Sequence, residues 1–112
     1  MKDRILETLN ATIRLHEDLK QQAEQIASAA RLLAEVFRDG GSVYVVGNGG
    51  SAADAQHMAG ELVGRFLMER PPLPCHALTT DTSVMTAIAN DYGAQEVFRK
   101  QVAAFVREED AL

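Results

Sequence analysis

Apolar residues recur at helical spacing through the first third of the chain and then give way to short β-branched runs. From Lys2 to Arg38 there is no proline and no glycine. Ile5, Leu6, Leu9, Ile13 and Leu19 follow a period near 3.6, and Ile26, Ala29, Ala30, Leu33, Val36 and Phe37 continue it. The stretch between them, HEDLKQQAEQ, is polar, so the pattern predicts two helices or one kinked helix. Asp39-Gly40-Gly41 ends the second, with glycine supplying a left-handed cap. Ser42–Val46, SVYVV, reads as a short buried strand. A glycine-rich loop follows, and Ser51–Arg65 reads as a helix that Ser51 can cap. MERPPLP is a proline-punctuated connection to a second strand, Cys75–Leu78. Thr79-Thr80-Asp81-Thr82 is a polar turn leading into a short helix, Val84–Ala89, which breaks at Asn90-Asp91-Tyr92-Gly93. Gln95–Val106 is a further helix, with Val97, Phe98, Val102 and Phe105 on one face. Glu108-Glu109-Asp110 forms a charged turn, and Ala111-Leu112 reads as the first step of a third strand.

Strands alternating with helices imply right-handed βαβ units, hence an α/β fold with a parallel sheet covered on both faces. The expected layout is one domain over residues 1–112, with a helical arm over 1–38 and the first half of a sheet over 42–112. The arm carries enough apolar surface either to cover its own sheet or to contact another subunit. A central strand starting at Ala111-Leu112 would leave a sheet edge and an apolar face open. The expectation is therefore that this edge is covered by further residues or by another chain.

Composition narrows the class. Apolar residues make up 46% and charged residues 24%, as in globular rather than disordered chains. The net charge of −5 argues against a nucleic-acid partner, which needs clustered Lys and Arg. An acidic protein can still bind a phosphorylated metabolite through backbone N–H groups. A single cysteine, Cys75, excludes an internal disulfide framework and a cysteine zinc cluster. No apolar run approaches the ~20 residues of a membrane span, and MKDRILETLN lacks a signal-peptide core. A cytoplasmic enzyme or binding domain fits these features.

The chemistry concentrates in VVGNGGSAADAQHMAGE, Val45 to Glu61. Ligands of parallel α/β sheets bind at the carboxyl ends of strands, which is where Gly47–Ser51 lies. Glycines allow close backbone approach, and a helix start offers free N–H groups and a positive dipole end. An anion or a polyhydroxylated ligand is the expected guest, against the alternative of a bare strand-to-helix turn. The loop lacks the lysine of a Walker phosphate loop. GNGGSA fits the loose dinucleotide pattern, but the next strand, CHAL, is followed by two threonines rather than by a ribose-binding acid. On the following helix His57 and Glu61 stand four residues apart and so share a face. Such a pair can hold half of a divalent metal site or handle protons beside a substrate. Asp54, in the first turn, is the rival carboxylate, with a favourable helix-dipole interaction as its simpler role. His16 sits among charges and reads as solvated, His76 as a packed or edge histidine, and Cys75 as core.

Two segments carry a family resemblance. VGNGGSAADAQHMAGELVGRF resembles the first site segment of phosphoheptose isomerases, within the sugar isomerase (SIS) domain family. ALTTDTSVMTAIANDYGAQEVFRKQV resembles the segment that follows it, and the likeness covers essentially the whole chain. The resemblance implies a doubly wound parallel sheet with an N-terminal helical arm, assembled as a homotetramer. It implies interconversion of sedoheptulose 7-phosphate and D-glycero-D-manno-heptose 7-phosphate through an enediol, towards lipopolysaccharide heptose. On the matching positions, Asn48, Gly49, Gly50 and Ser51 would line the sugar phosphate, and Asn90 and Asp91 would contact sugar hydroxyls. His57 and Glu61 would be zinc ligands, with Glu61 also meeting substrate as the catalytic acid/base. The family's Ser/Thr-rich phosphate loop and its later glutamine and histidine have no counterpart in these residues, and no histidine follows His76. The resemblance therefore implies the N-terminal half of an isomerase site, inactive by itself, or a shortened relative. The alternative is a non-catalytic SIS-type protein that binds sugar phosphate or associates with a replication initiator, which resembles this chain over RPPLP and MTAIAND. That relative keeps the histidine and replaces the glutamate, so Glu61 favours the enzyme.

Overall fold

The polar interruption of the N-terminal pattern becomes a single tight turn between two helices. In the computed structural model, which describes residues 1–112, α1 (Lys2–Leu19) runs through a 3₁₀ turn (Lys20–Gln22) into α2 (Ala23–Arg38). The junction residues Leu19, Lys20 and Ala23 all keep right-handed helical dihedrals, so the chain tightens there without leaving helical space. No residue of α1 is buried. Its apolar stripe of Ile5, Leu6, Leu9, Ile13 and Leu19 is exposed, and His16 is solvated as expected, with its Nδ1 2.8 Å from the Thr12 carbonyl. Gly40, at φ +86°, closes α2 as the sequence predicts. By internal packing the chain divides into Met1–Leu32 and Leu33–Leu112. No helix is long and apolar enough to cross a membrane.

The second unit is α/β. Strands β1 (Val43–Val45) and β2 (Cys75–Ala77) pair in parallel, with Val43 opposite Cys75 and Val45 opposite Ala77. Between them in sequence lies α3 (Gly50–Val63), which packs on both strands. After β2 come α4 (Thr82–Tyr92) and α5 (Glu96–Phe105), packed on each other. Ala111 adds an isolated parallel bridge to Val43, donating to the Ser42 carbonyl at 3.0 Å and accepting from the Tyr44 amide at 2.8 Å. The third-strand expectation holds for that one residue, and β1 is thereby flanked on both sides. Val43, Ala55, Cys75, Leu78 and Val97 form the buried core. Burial raises the Cys75 thiol pKa, as befits a core cysteine. His76 is exposed and stacks on Tyr44, with ring centroids 5.3 Å apart.

Three expectations need correction. Both strands are three residues long, shorter than SVYVV and CHAL; at the start of the first, Ser42 donates its amide to the Asp110 carboxylate at 2.7 Å instead of to the ladder. The helix expected at Val84–Ala89 runs from Thr82 to Tyr92. Asp81 caps its start by accepting from the Val84 amide at 2.9 Å, and the polar Asn90 and Asp91 are simply exposed positions of its last turn. On α5, Val97 is buried but Phe105 is 51% exposed. The buried position in that face is Gln101, 3% exposed, whose amide donates to the carbonyls of Leu78 at 3.2 Å and Val97 at 3.1 Å. A buried amide without such partners would cost about 1–3 kcal/mol, so the pairing decides that glutamine is tolerated there.

Asp110 ties the chain end to β1. The Ser42 amide and the Arg107 amide, at 2.7 and 2.8 Å, hold its carboxyl below the usual aspartate range. A depressed folded pKa stabilises the fold above the unfolded value, about 3.9, and that contribution fades as pH falls through the folded pKa. Asp110→Asn should therefore lower the thermal midpoint at neutral pH, and the gap to the parent should close below about pH 4. Parallel melts across that range check this; a gap independent of pH would count against it.

Candidate functional site

Parallel pairing places the carboxyl ends of β1 and β2 at one edge of the sheet, and both following loops emerge there. The first is Val46–Gly49. Gly49 has φ +57° and ψ −122°, a sparsely populated combination that costs a residue with a Cβ about 1–3 kcal/mol. Gly47 is required by contact: a Cβ there would sit 2.6 Å from the backbone carbonyl of Ser51. A Cβ at Gly50 would meet nothing within 4 Å, so the lack of a side chain at that position serves no packing purpose inside this chain.

The helix starts one residue earlier than the sequence predicts, and Ser51 does not cap it. Gly49 occupies the cap position with no side-chain bond. The reason is local: the turn at Gly49 directs its own carbonyl at the Ala52 and Ala53 amides, at 3.1 and 3.3 Å, while the Asn48 carbonyl takes the Ser51 amide at 3.1 Å. The amides of Asn48, Gly49 and Gly50 are left without a backbone acceptor. Three consecutive N–H groups at a helix start can hold an anion or a set of hydroxyl oxygens. Asn48, Gly49, Gly50 and Ser51 line this turn, and all four are exposed.

Further along α3, His57 Nε2 lies 3.2 Å from Glu61 Oε1. The i, i+4 reading therefore holds geometrically: the two side chains meet, with His57 76% and Glu61 36% exposed. Imidazole and carboxylate are suitable zinc donors, but a catalytic zinc site ordinarily takes three protein ligands. No group of three His, Cys, Asp or Glu side chains comes together in residues 1–112. The pair thus fits a metal as two of its donors and no more.

The second loop is tied to α3 by Gln56, whose amide donates to the Thr79 hydroxyl at 3.4 Å. Asn90 and Asp91 bond each other, Nδ2 to Oδ1 at 2.8 Å, and no hydrogen bond links them to the glycine loop or to the His57–Glu61 pair. Two residues near the site escaped sequence reasoning. Gln56 gave no signal, being one polar residue among several on α3. Arg70 was legible only as part of a proline-rich connection, yet its guanidinium bonds the end of α3.

The chain is similar to known proteins in sequence and fold. The family model of the SIS domain matches residues 9–112. The phosphoheptose isomerase of Geotalea uraniireducens is 50% identical over 113 aligned residues, covering 100% of this chain and 60% of that protein. Among solved structures, a phosphoheptose isomerase from Francisella tularensis superposes with TM-score 0.92 at 40% identity, covering 96% of this chain and 57% of the other. That from Neisseria gonorrhoeae gives 0.89 at 41% identity, covering 97% and 56%. The chain therefore spans about half the length of the curated relatives it matches.

The three loop glycines should respond differently to alanine. Gly47→Ala pushes against backbone and should cost about 1–3 kcal/mol, and Gly49→Ala about 1–3 kcal/mol for its dihedrals. Gly50→Ala should be neutral or stabilising by up to about 1 kcal/mol, as an open helical position. Urea unfolding of the three variants measures this; Gly50→Ala as damaging as Gly47→Ala would contradict the loop geometry.

Proposed function

This chain belongs to the SIS domain family, and we propose that it carries the N-terminal half of a sugar-phosphate isomerase site acting on sedoheptulose 7-phosphate and D-glycero-D-manno-heptose 7-phosphate. The observation that carries the reading is the His57–Glu61 pair, joined at 3.2 Å on the helix that leaves the glycine loop. Aldose–ketose isomerisation moves a proton between adjacent carbons through an enediol, so it needs a carboxylate able to accept and return that proton. Glu61 takes this role, partly shielded from water while still reachable. The open amides of Asn48, Gly49 and Gly50, with the Ser51 hydroxyl beside them, bind phosphate or hydroxyl oxygens. Asn90 and Asp91 contact sugar hydroxyls from the last turn of α4.

Zinc is part of the proposal, with His57 Nε2 and Glu61 as two ligands. Bound there, zinc would stabilise the negative charge that develops on the substrate oxygen. A homo-oligomer, a tetramer by family resemblance, is supported by the exposed apolar stripe of α1, where Ile5, Leu9 and Ile13 are each more than half exposed. A phosphorylated sugar substrate goes with a cytoplasmic setting.

The test uses the full-length gene product. Glu61→Gln should lower turnover about 10²- to 10⁴-fold while leaving sugar-phosphate affinity nearly unchanged, the usual weight of a general acid/base. Asp54→Asn, on the same helix face, should retain turnover. His57→Ala should reduce bound zinc measured by elemental analysis. Normal turnover in Glu61→Gln with loss in Asp54→Asn would mean the wrong carboxylate; loss in neither would favour a partner-binding SIS protein instead.

A further inference from the structure

The last turn of α3 is held from outside the helix by one side chain. Helix ends leave their final carbonyls unpaired, and here Gly60 is served by the Gly64 amide at 2.9 Å. The next two carbonyls go to Arg70. Its Nη2 donates to the Glu61 carbonyl at 2.7 Å and its Nη1 to the Leu62 carbonyl at 2.7 Å. Nη1 also reaches the Pro71 carbonyl at 3.0 Å, and the Leu73 amide adds a bond to Leu62 at 3.0 Å. Arg70 is half-buried, whereas Arg65 to Glu69 are all exposed. Phe66, Leu67 and Met68 in that stretch are 69–83% exposed, so little apolar packing holds the connection and the guanidinium is its main anchor.

The geometry points to Arg70 as a positioning residue for Glu61: its two-pronged grip on the Glu61 and Leu62 carbonyls fixes the helix turn from which the Glu61 carboxylate is aimed at His57. This rests on the proposed role of Glu61. A planar guanidinium can bond two successive carbonyls at once, and its positive charge suits the negative end of the helix dipole. A lysine keeps the charge but offers a single flexible point, so it cannot fix the turn in the same way. Displacing a catalytic group by about 1 Å can cost up to about 10²-fold in rate, which makes such a grip matter for turnover out of proportion to its share of stability.

The experiment compares the full-length parent with Arg70→Lys, Arg70→Ala, Glu61→Gln and the Arg70→Lys/Glu61→Gln double variant. Arg70→Lys, which retains charge and solubility, is expected to lower kcat about 10- to 100-fold with KM changed less than about threefold. Arg70→Ala should lower kcat at least as far. In the Glu61→Gln background the lysine change should have no further effect on kcat, because a residue acting through Glu61 loses its influence when Glu61 is disarmed. Amide exchange at Gly64 and Leu73 should quicken in Arg70→Lys, a readout that needs no substrate. Parent-like kcat in Arg70→Lys, an undiminished additional loss in the double variant, or unchanged exchange overturns the assignment while leaving Glu61 in place. Parent-like turnover in Glu61→Gln instead overturns the reading of Glu61, and this proposal with it.

Discussion

The parallel register of two three-residue strands is the constraint from which the site follows. With Val43 opposite Cys75 and Val45 opposite Ala77, both strands run out at one sheet edge. An antiparallel pairing would have sent the glycine loop and the Thr79–Asp81 loop to opposite ends. Three residues a side is little ladder to hold that arrangement, and the structure reinforces it at both ends. The Leu78 amide extends the pairing to the Val45 carbonyl at 2.9 Å, Gln101 satisfies the Leu78 carbonyl, and Asp110 secures Ser42. These are polar contacts supporting a core of few and mostly small buried residues. Each is worth only about 0.5–1.5 kcal/mol where made, but leaving one partner buried and unpaired would cost more, and that asymmetry is what specifies the register.

What could be read in advance was whatever depends on local periodicity or on one residue's chemistry. The βα alternation, the loop at a strand's carboxyl end and the His57–Glu61 meeting all follow from spacing alone, and the structure shows each. The misreadings share a cause. Ser51 has the side chain of a helix cap, but Gly49 takes the cap position because its left-handed dihedral turns the chain one residue sooner. Asn90 and Asp91 look like breakers, yet on an exposed last turn their polarity costs nothing and the helix continues to Tyr92. Gln101 and Arg70 draw their importance from hydrogen bonds to the carbonyls of Leu78, Glu61 and Leu62, and hydrophobic periodicity carries no signal for such bonds.

Helix α3 links the two chemistries, and its length sets what can bridge them. Gly50 and Glu61 lie eleven positions apart on it, about 16 Å along the axis at 1.5 Å per residue. Side chains on a helix lean towards its N-terminus, and the bond from Glu61 back to His57 shows that lean here. A glutamate reaching back shortens the gap by roughly 4 Å, and a hydrogen bond at either end removes about 3 Å more each. What remains, on the order of 6 Å, exceeds the reach of a lone phosphate and suits an extended chain of several carbons. A ligand that meets both the loop amides and Glu61 must therefore be elongated, with its anionic or hydroxylated end distant from the end beside the carboxylate. A chain of several carbons with an anionic end meets that requirement, whereas a compact anion could occupy the loop without ever meeting the carboxylate.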